Sequence, residues 1–367
     1  MIDLNWLWTV LRLAAPAVVI LALAPVGMMY LTWLERKVIA RIQDRCGPNR
    51  VGPYGLFQPL ADGIKMLTKE DLVPAGADGL CHFLAPVIIV VPALYLFTVL
   101  PFGPGVVAAP LATGLLFFVA VGSTSTLALF MAGWGSRNKF SLLGAARNAA
   151  QLVAYEVPLV LSLAVVPMVT QSLVLPEIVE LQAARWFLFT PWGATAFVLL
   201  FVAGLAEVNR TPFDLPEAES EIVAGFHTEY SGMKFALFYM AEFLSALATS
   251  ALLAVLFLGG WHGPAVPLVP AVLSGIFWMM LKVFALVFTM IWVRGTLPRF
   301  RVDQLMGLAW KVMIPLALAN VAATAGWVLL PGWEGDALAL ALVAGTYGVT
   351  TQLWLKPKPR LTTEWVS

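Results

Sequence analysis

Long apolar runs, broken by charged residues and by glycine and proline, follow one another along almost the whole chain. A helix needs about 20 predominantly apolar residues to cross the hydrocarbon core of a bilayer. The runs therefore predict nine transmembrane helices in an all-α polytopic membrane protein, with residues 1–367 forming a single integral membrane domain. The expected spans are residues 11–33, 80–100, 111–132, 149–170, 190–208, 234–258, 271–293, 313–330 and 337–355.

One shorter stretch has the periodicity of an amphipathic helix. Its apolar residues recur at helical spacing, as Leu60, Ile64 and Leu67. Its charged residues fall on another face, as Asp62, Lys65 and Lys69. This pattern predicts a helix at about 58–69 that lies in the membrane surface, after a tightly turned Gly/Pro-rich segment at 43–55. A basic surface loop attracted to anionic lipid is an equally good interpretation of the composition.

The basic residues are distributed unevenly between the two sides of this bundle. With the N-terminus outside, the inner loops and the C-terminal tail take 19 of the 22 lysines and arginines. Only Arg12 and Arg185 lie outside, and Lys282 lies within a span. Because basic loops stay cytoplasmic, the N-terminus is expected outside and the C-terminus in the cytoplasm. The cytoplasmic loops are then 34–79, 133–148, 209–233 and 294–312.

Composition narrows the class of protein. With 60% hydrophobic and 12% charged residues and a mean hydropathy of +0.86, an ordinary soluble domain is excluded. A net charge of +1 indicates no nucleic-acid partner. The first apolar run lacks a basic region before it and a cleavage site after it, so it is expected to be a retained span.

The sequence also lacks the common cofactor motifs. The two cysteines, Cys46 and Cys81, are too few for a disulfide framework or a metal cage, so both are expected as free thiols. No Walker A, GxGxxG, HExxH or CxxC pattern occurs, so we expect no nucleotide, haem, iron–sulfur or zinc site in this chain.

The stretch 207–230 concentrates negative charge between two apolar spans. It contains six of the chain's 21 acidic residues, namely Glu207, Asp214, Glu217, Glu219, Glu221 and Glu229. Carboxylates are costly near hydrocarbon, so a dense cluster favours a functional role. Asp214 followed by Glu217 is also typical of a capped helix start, which explains these two residues but not the other four.

Three further charges fall inside spans, at Glu156, Glu242 and Lys282. Each of them could be a paired structural residue, and Lys282 could neutralise one of the glutamates. Together with Glu207 they favour a buried protonatable chain in the inner half of the bundle. Carboxylates in low dielectric raise one another's pKa and titrate as a coupled set, which suits a proton relay. No nucleophile–base pair is evident, so covalent catalysis is not expected.

Six short segments together resemble a known family. They are the run Glu207–Glu221, the pair Glu35–Lys37 and Arg45–Pro53, the segment Gln58–Lys65, and Gly133–Gly144 followed by Tyr155-Glu156. These motifs are similar to those of the H-subunit family of bacterial NADH–quinone oxidoreductase, respiratory complex I. The resemblance covers about residues 10–311, and the last two spans carry little of it.

This resemblance implies a membrane subunit at the junction with a hydrophilic arm, without activity on its own, in an H⁺-translocating enzyme of the bacterial plasma (inner) membrane. It implies quinone, either ubiquinone or menaquinone, as substrate, and FMN and iron–sulfur clusters in partner subunits. The implied partners are the cytoplasmic quinone-reducing arm and antiporter-like membrane subunits.

The resemblance also assigns two groups of residues. The quinone chamber or its entry would be lined by Glu35, Arg36, Asp62, Lys65, Phe226 and Arg294. The proton path would comprise the six acidic residues of the 207–230 stretch, continued by Glu156, Glu242 and Lys282.

Two other classes of protein remain open from the residues. A stand-alone proton-coupled transporter would explain the buried acids but would give the long amphipathic and acidic inner loops no purpose. The equivalent subunit of a membrane-bound hydrogenase would belong to an assembly without quinone. The proteins that co-purify with the chain distinguish the three.

Overall fold

The structure, a computed structural model, describes residues 4–215, 222–264, 269–330 and 332–355. Over these ranges the chain is helical and contains no strand, only an isolated bridge between Gly103 and Val106. The helices are α1 (Leu4–Ile42), α2 (Gln58–Thr68), α3 (Gly79–Val99), α4 (Gly114–Gly135), α5 (Lys139–Thr170), α6 (Leu175–Leu181), α7 (Pro191–Glu207), α8 (Gly232–Phe257), α9 (Ala271–Thr296), α10 (Val302–Leu308), α11 (Ile314–Leu329) and α12 (Trp333–Leu355).

Seven helical stretches within the described ranges are long and apolar enough to cross a membrane. They are Ala15–Ile42 of α1, all of α3, α4, α5, α8 and α9, and the continuous stretch Val302–Leu329 that contains α10 and α11. Helix α7 is apolar but shorter, at 17 residues. Each of the nine expected spans coincides with a helix, which confirms the all-helical fold class. Whether α7 and α12 also cross the bilayer stays a prediction.

Helices α1 and α5 extend by nine or more residues beyond one end of the expected spans, because polar ends continue the helix past the apolar run. Helix α1 continues through its basic residues to Ile42. Helix α5 begins at Lys139, ten residues before the expected span, because the Asn138 side chain accepts a hydrogen bond from the backbone N–H of Phe140 at 3.0 Å. Part of the inner loop expected at 133–148 is therefore helical.

The amphipathic helix is confirmed as α2. Its apolar side chains Leu60, Ile64 and Leu67 are 52, 55 and 69% exposed, so no other part of the described chain covers this face. The turn before it requires glycine. Gly55 has φ +77°, and a Cβ added there would lie 2.2 Å from the carbonyl oxygen of Pro48.

Helix α8 lies at the centre of the bundle and is packed against α1, α2, α3, α7 and α9. Every residue from Ala248 to Phe257 is buried, as expected for a helix that is apolar on all sides. Helix α7 approaches it closely at Gly204, where an added Cβ would lie 2.5 Å from Cγ2 of Thr249. Because α8 is central, Glu242 in its first half lies in the interior of the bundle.

The loops expected on the cytoplasmic side meet at one end of the bundle. The Asp78 backbone N–H donates to the carbonyl of Gly135, and the Ser141 hydroxyl donates to that of Phe226, both at 2.9 Å. At the other end, the Leu115 N–H donates to the Leu173 carbonyl at 3.1 Å. The loops assigned to one side of the membrane therefore contact one another, and the side on which they lie stays a prediction.

Candidate functional site

Arg210 connects α1 and α8 by binding one carboxylate on each of them. Its Nη1 donates to Oε2 of Glu35 on α1 at 2.7 Å, and its Nε donates to Oε1 of Glu242 on α8 at 2.6 Å. Arg294 on α9 also donates to Glu35. The Arg210 guanidinium lies 4.1 Å from the centre of the Phe243 ring. Since Arg210 and Glu35 are only 7 and 8% exposed, the hydrogen bond between them is shielded from solvent and therefore strong.

A cavity between α1, α8 and α9 opens beside this network. Charged groups of Glu35, Arg210 and Arg294 line one part of it. The remaining wall is apolar, formed by Leu31, Phe243, Ala246, Val287, Met290 and Ile291. It therefore offers polar partners for a ligand's head and an apolar surface for the rest of a ligand.

The other charged residues expected at the entry lie on the surface at α2. Arg36 Nη1 donates to Oδ2 of Asp62 at 2.6 Å, and Lys65 Nζ lies 3.5 Å from Oδ1 of the same carboxylate. Burial raises the pKa of Asp62, but the hydrogen bond and charge of Arg36 outweigh it, so the pKa falls below its ordinary value. The carboxylate is thus ionised and holds α2 against α1.

Phe226 is separated from this group. It is buried, packs edge-on against Phe238, and lines a different cavity, together with Glu207 and Glu242. His227, the next residue, lines the same cavity. Burial lowers the pKa of His227 to about 4, so its imidazole is neutral at physiological pH.

Glu207 lies where two cavities meet. The larger cavity has a volume of about 50 Å³ that the centre of a water molecule can occupy. It is also lined by Glu242, His227 and Tyr239. The smaller has about 30 Å³ and is also lined by Glu156 and Tyr155. Because a buried water needs roughly 10–15 Å³ of such room, both cavities can hold water. Three of the predicted glutamates are thus connected by spaces that suit a hydrated path.

Gln151 of α5 fixes the end of α7 that carries Glu207. Its Nε2 donates to the carbonyls of Ala206 and Phe213 at 2.8 and 2.7 Å. These carbonyls lie at and beyond the helix end, where they have no partner within the helix. The buried amide therefore holds the chain on both sides of Glu207 against α5.

The remaining described acids of the 207–230 stretch lie apart from the two cavities. Asp214 Oδ2 accepts a hydrogen bond from Arg299 at 2.6 Å. Glu229 Oε1 accepts one from Nδ2 of Asn138, also at 2.6 Å. Glu217, Glu219 and Glu221, and with them the helix start expected at Asp214, lie outside the described residues.

Lys282 corrects one expectation. Its ammonium donates to the carbonyls of Leu258, Gly260 and His262 at 2.6, 2.8 and 2.6 Å, and lies 4.4 Å from the centre of the Trp186 ring. These carbonyls follow the far end of α8, about 24 Å along the helix axis from Glu242 at 1.5 Å per residue. The charge does not lie with the glutamates of the inner half, because the long side chain reaches to the opposite loop.

Comparison with known proteins identifies the family. The family model described as NADH dehydrogenase matches residues 15–325. A protein of Dehalococcoides mccartyi (strain CBDB1), named as the H subunit of NADH-quinone oxidoreductase, is 50% identical over 313 residues, which are 85% of this chain and 86% of the relative.

The chain belongs to the NADH dehydrogenase family. Two further relatives, both also named as H subunits of NADH-quinone oxidoreductase, agree with this. The protein of Syntrophobacter fumaroxidans is 48% identical over 90% of this chain and 99% of its own length. That of Rubrobacter xylanophilus is 49% identical over 82% of this chain and 91% of its own length. The match to the NADH dehydrogenase family covers all the described site residues and ends before α12.

Arg210 was not predicted as a site residue of this NADH dehydrogenase family member. In the sequence it counted among the basic residues that set the orientation and as part of the family run Glu207–Glu221, with no role of its own. A useful indication was present, since Arg210 follows Glu207 by three residues at the end of an apolar span. Gly122 and Ser125 of α4, which line both cavities, were also missed.

Proposed function

We propose that this chain is the membrane subunit of a proton-pumping NADH:quinone oxidoreductase that forms part of the quinone chamber and couples quinone reduction to proton translocation. The family match and the names of the relatives support the enzyme class. The single observation that supports the coupling role is Arg210, which bridges Glu35 of the expected quinone group and Glu242 of the expected proton path.

The cavity between α1, α8 and α9 is the proposed part of the quinone entry in this chain. A quinone has a polar head and an apolar tail, and this cavity combines Glu35 and Arg294 with an apolar wall that includes Val287 and Met290. The exposed apolar face of α2 would lie in the membrane surface beside it. The hydrophilic arm that reduces the quinone would complete the chamber.

A change of charge on the quinone would act first on Glu35. Because Arg210 binds Glu35 and Glu242 at once, any weakening of one ion pair changes the stabilisation of the other carboxylate. Glu242 lines the water-sized cavity that Glu207 also lines, and Glu207 lines the cavity of Glu156. The proposed route for protons therefore runs from Glu242 through Glu207 to Glu156, towards antiporter-like subunits.

The proposed location is the bacterial plasma membrane, with the N-terminus outside and the end of the bundle that carries Arg210 in the cytoplasm. The distribution of lysine and arginine supports this orientation. The hydrophilic arm, with FMN and the iron–sulfur clusters, would then bind on the cytoplasmic side. Within the described part of the chain, no group of three or more His, Cys, Asp or Glu side chains could hold a metal ion.

Co-purification tests the proposed function directly. The tagged chain, extracted from its own membranes in mild detergent, is expected to bring with it an assembly that oxidises NADH and reduces quinone. The chain purified alone is expected to have neither activity. A chain that purifies alone and transports a solute with protons would instead be a transporter, and one that brings a nickel hydrogenase would belong to that other class.

Loss of Asp62 is expected to impair quinone access. Asp62→Ala removes the partner of Arg36, so α2 loses its attachment to α1. NADH:quinone turnover should fall about two- to fivefold, the range for a partly exposed ion pair. Electron transfer from NADH to an artificial acceptor upstream of quinone should not change.

Asp71→Ala is the matched control, because Asp71 follows α2 and pairs at 2.8 Å with Lys234 of α8, not with α1. Equal loss of both activities in the Asp62 variant, or an equal effect of the Asp71 variant, would contradict a role in quinone entry.

Cysteine labelling tests the orientation. Cys46 is an exposed free thiol in the loop after α1, so in a Cys81→Ser background it is the only labelling site. A membrane-impermeant maleimide should miss it in intact cells and reach it in inside-out vesicles stripped of the hydrophilic arm. Ser172→Cys in the loop between α5 and α6, in a background lacking both native cysteines, should label in the opposite way. Labelling of Cys46 from outside would reverse the proposed orientation.

A further inference from the structure

Residues of α4 form part of the junction between the two cavities of the proposed proton route. Four residues line both cavities, namely Phe118, Gly122, Ser125 and Glu207. Of these, only Ser125 and Glu207 have side chains that can donate or accept a proton. A proton that passes between the cavities must therefore pass Ser125 or Glu207, or water held between them.

The geometry of α4 brings these two groups close together. Phe118, Gly122 and Ser125 follow at intervals of four and three residues, so they share one face of the helix. A Cβ added at Gly122 would lie 3.1 Å from Oε1 of Glu207, which means that the carboxylate lies directly against the α4 backbone. Residues three apart on a helix are neighbours, so the Ser125 hydroxyl lies one turn from this carboxylate.

The hydroxyl of Ser125 differs from those of its neighbours in the run 123–126. Ser123 donates to the carbonyl of Val119 at 2.8 Å, and Thr124 donates to that of Val121 at 2.7 Å. Within the described part of the chain, Ser125 makes no such bond to a carbonyl. Its hydroxyl can therefore donate to one group and accept from another within the shared wall of the cavities.

We propose that Ser125 relays protons between the two cavities beside Glu207. In each transfer the hydroxyl oxygen accepts a proton from water bound to the Glu242 carboxyl. The hydroxyl then releases its own proton to the Glu207 carboxylate or to water in the cavity that Glu156 lines. One O–H bond forms and one breaks, so the serine is unchanged after the transfer. Because Gly122 has no side chain, the Glu207 carboxylate can lie directly against the α4 backbone at this junction. The inference rests on the proposed function and adds residues of α4 to it.

The test uses Ser125→Ala in the assembled complex, reconstituted into sealed vesicles. Loss of one hydrogen-bonding partner is expected to slow NADH-driven proton pumping and NADH:quinone turnover about two- to tenfold. Electron transfer from NADH to an artificial acceptor upstream of quinone should stay at the wild-type rate. The solvent isotope effect on turnover in D₂O should rise, because proton transfer becomes more rate-limiting, whereas a merely structural defect would leave it unchanged.

The matched control is Thr124→Val, because Thr124 is the adjacent residue, bonds within its own helix and lines neither cavity. It should pump at the wild-type rate. A second comparison, between Ser125→Thr and Ser125→Val, holds the volume of the side chain nearly constant and changes only a hydroxyl into a methyl group. The threonine variant should pump faster than the valine variant, because it alone keeps a group that can pass on a proton.

Two results would overturn the proposal. One is wild-type pumping and an unchanged isotope effect in Ser125→Ala, and the other is equal pumping by the threonine and valine variants. Failure of the proposed function is distinguishable from both, since the wild-type assembly would then show no NADH-driven pumping at all.

Discussion

Arg210→Met is expected to destabilise the subunit strongly. The substitution removes the only described cation that binds both Glu35 and Glu242. Glu35 keeps its ion pair with Arg294, but Glu242 loses the cation that binds it. Breaking a buried ion pair from one side destabilises by about 3–5 kcal/mol, because the remaining charge is uncompensated. The yield of assembled complex should fall, and the midpoint of thermal unfolding in fixed detergent and lipid should drop by several degrees.

Arg299→Met is the matched control for this prediction. Arg299 also binds a carboxylate, Asp214, at 2.6 Å, but its side chain is 34% exposed. Partly exposed pairs contribute about 0–1 kcal/mol, so this variant should unfold close to the wild-type midpoint. Equal midpoints for the two methionine variants would contradict the assignment of Arg210 as the central cation.

A combined variant separates stability from coupling. In Arg210→Met with Glu242→Gln, the carboxylate that lost its cation is removed as well, while Glu35 keeps its ion pair with Arg294, so much of the lost stability should return. Proton pumping should not return, because the titrating group at Glu242 is absent. Recovery of both properties would contradict the proposed coupling through this network.

Glu207→Gln is expected to reduce NADH-driven proton pumping about 100-fold, the lower range for loss of a positioned proton-transfer group. Glutamine keeps the size of the side chain at the junction of the two cavities but cannot titrate there. Assembly should be retained, since Gln151 holds this end of α7 through backbone carbonyls. The measurement is proton uptake by vesicles that contain the assembled complex.

Glu177→Gln is the control for this substitution, because Glu177 is at the opposite end of the bundle, where it accepts a hydrogen bond from Ser172. The double variant Glu207→Gln with Glu156→Gln should pump within about twofold of the worse single variant, since residues on one path are not additive. If the fold-loss of pumping in the double variant equals the product of the two single fold-losses, the two glutamates do not share a path. Normal pumping by Glu207→Gln would show the same.

Local sequence pattern determined the helices of this protein. Nine apolar runs became nine helices, and the spacing of Leu60, Ile64 and Leu67 predicted α2 to within one residue of its end. These features depend on hydropathy and periodicity within one segment, so they can be predicted without knowledge of any other segment. The family motifs also depend only on consecutive residues, and they predicted roles for the acidic stretch and for the residues of the quinone chamber or its entry.

Tertiary packing alone decided which charges meet. Arg210 and Glu35 are 175 positions apart in the chain, and the sequence contained nothing that paired them. Lys282 was expected with the glutamates of the inner half but reaches the loop after α8. Phe226 was grouped with Glu35 and Arg294 at the quinone chamber or its entry, and it lines the cavity of Glu207 and Glu242. The partner of a charged residue depends on how each helix is rotated and how far its side chain reaches. Both are set by the packing of α1, α4, α7, α8 and α9 against one another, which involves contacts between residues far apart in the chain.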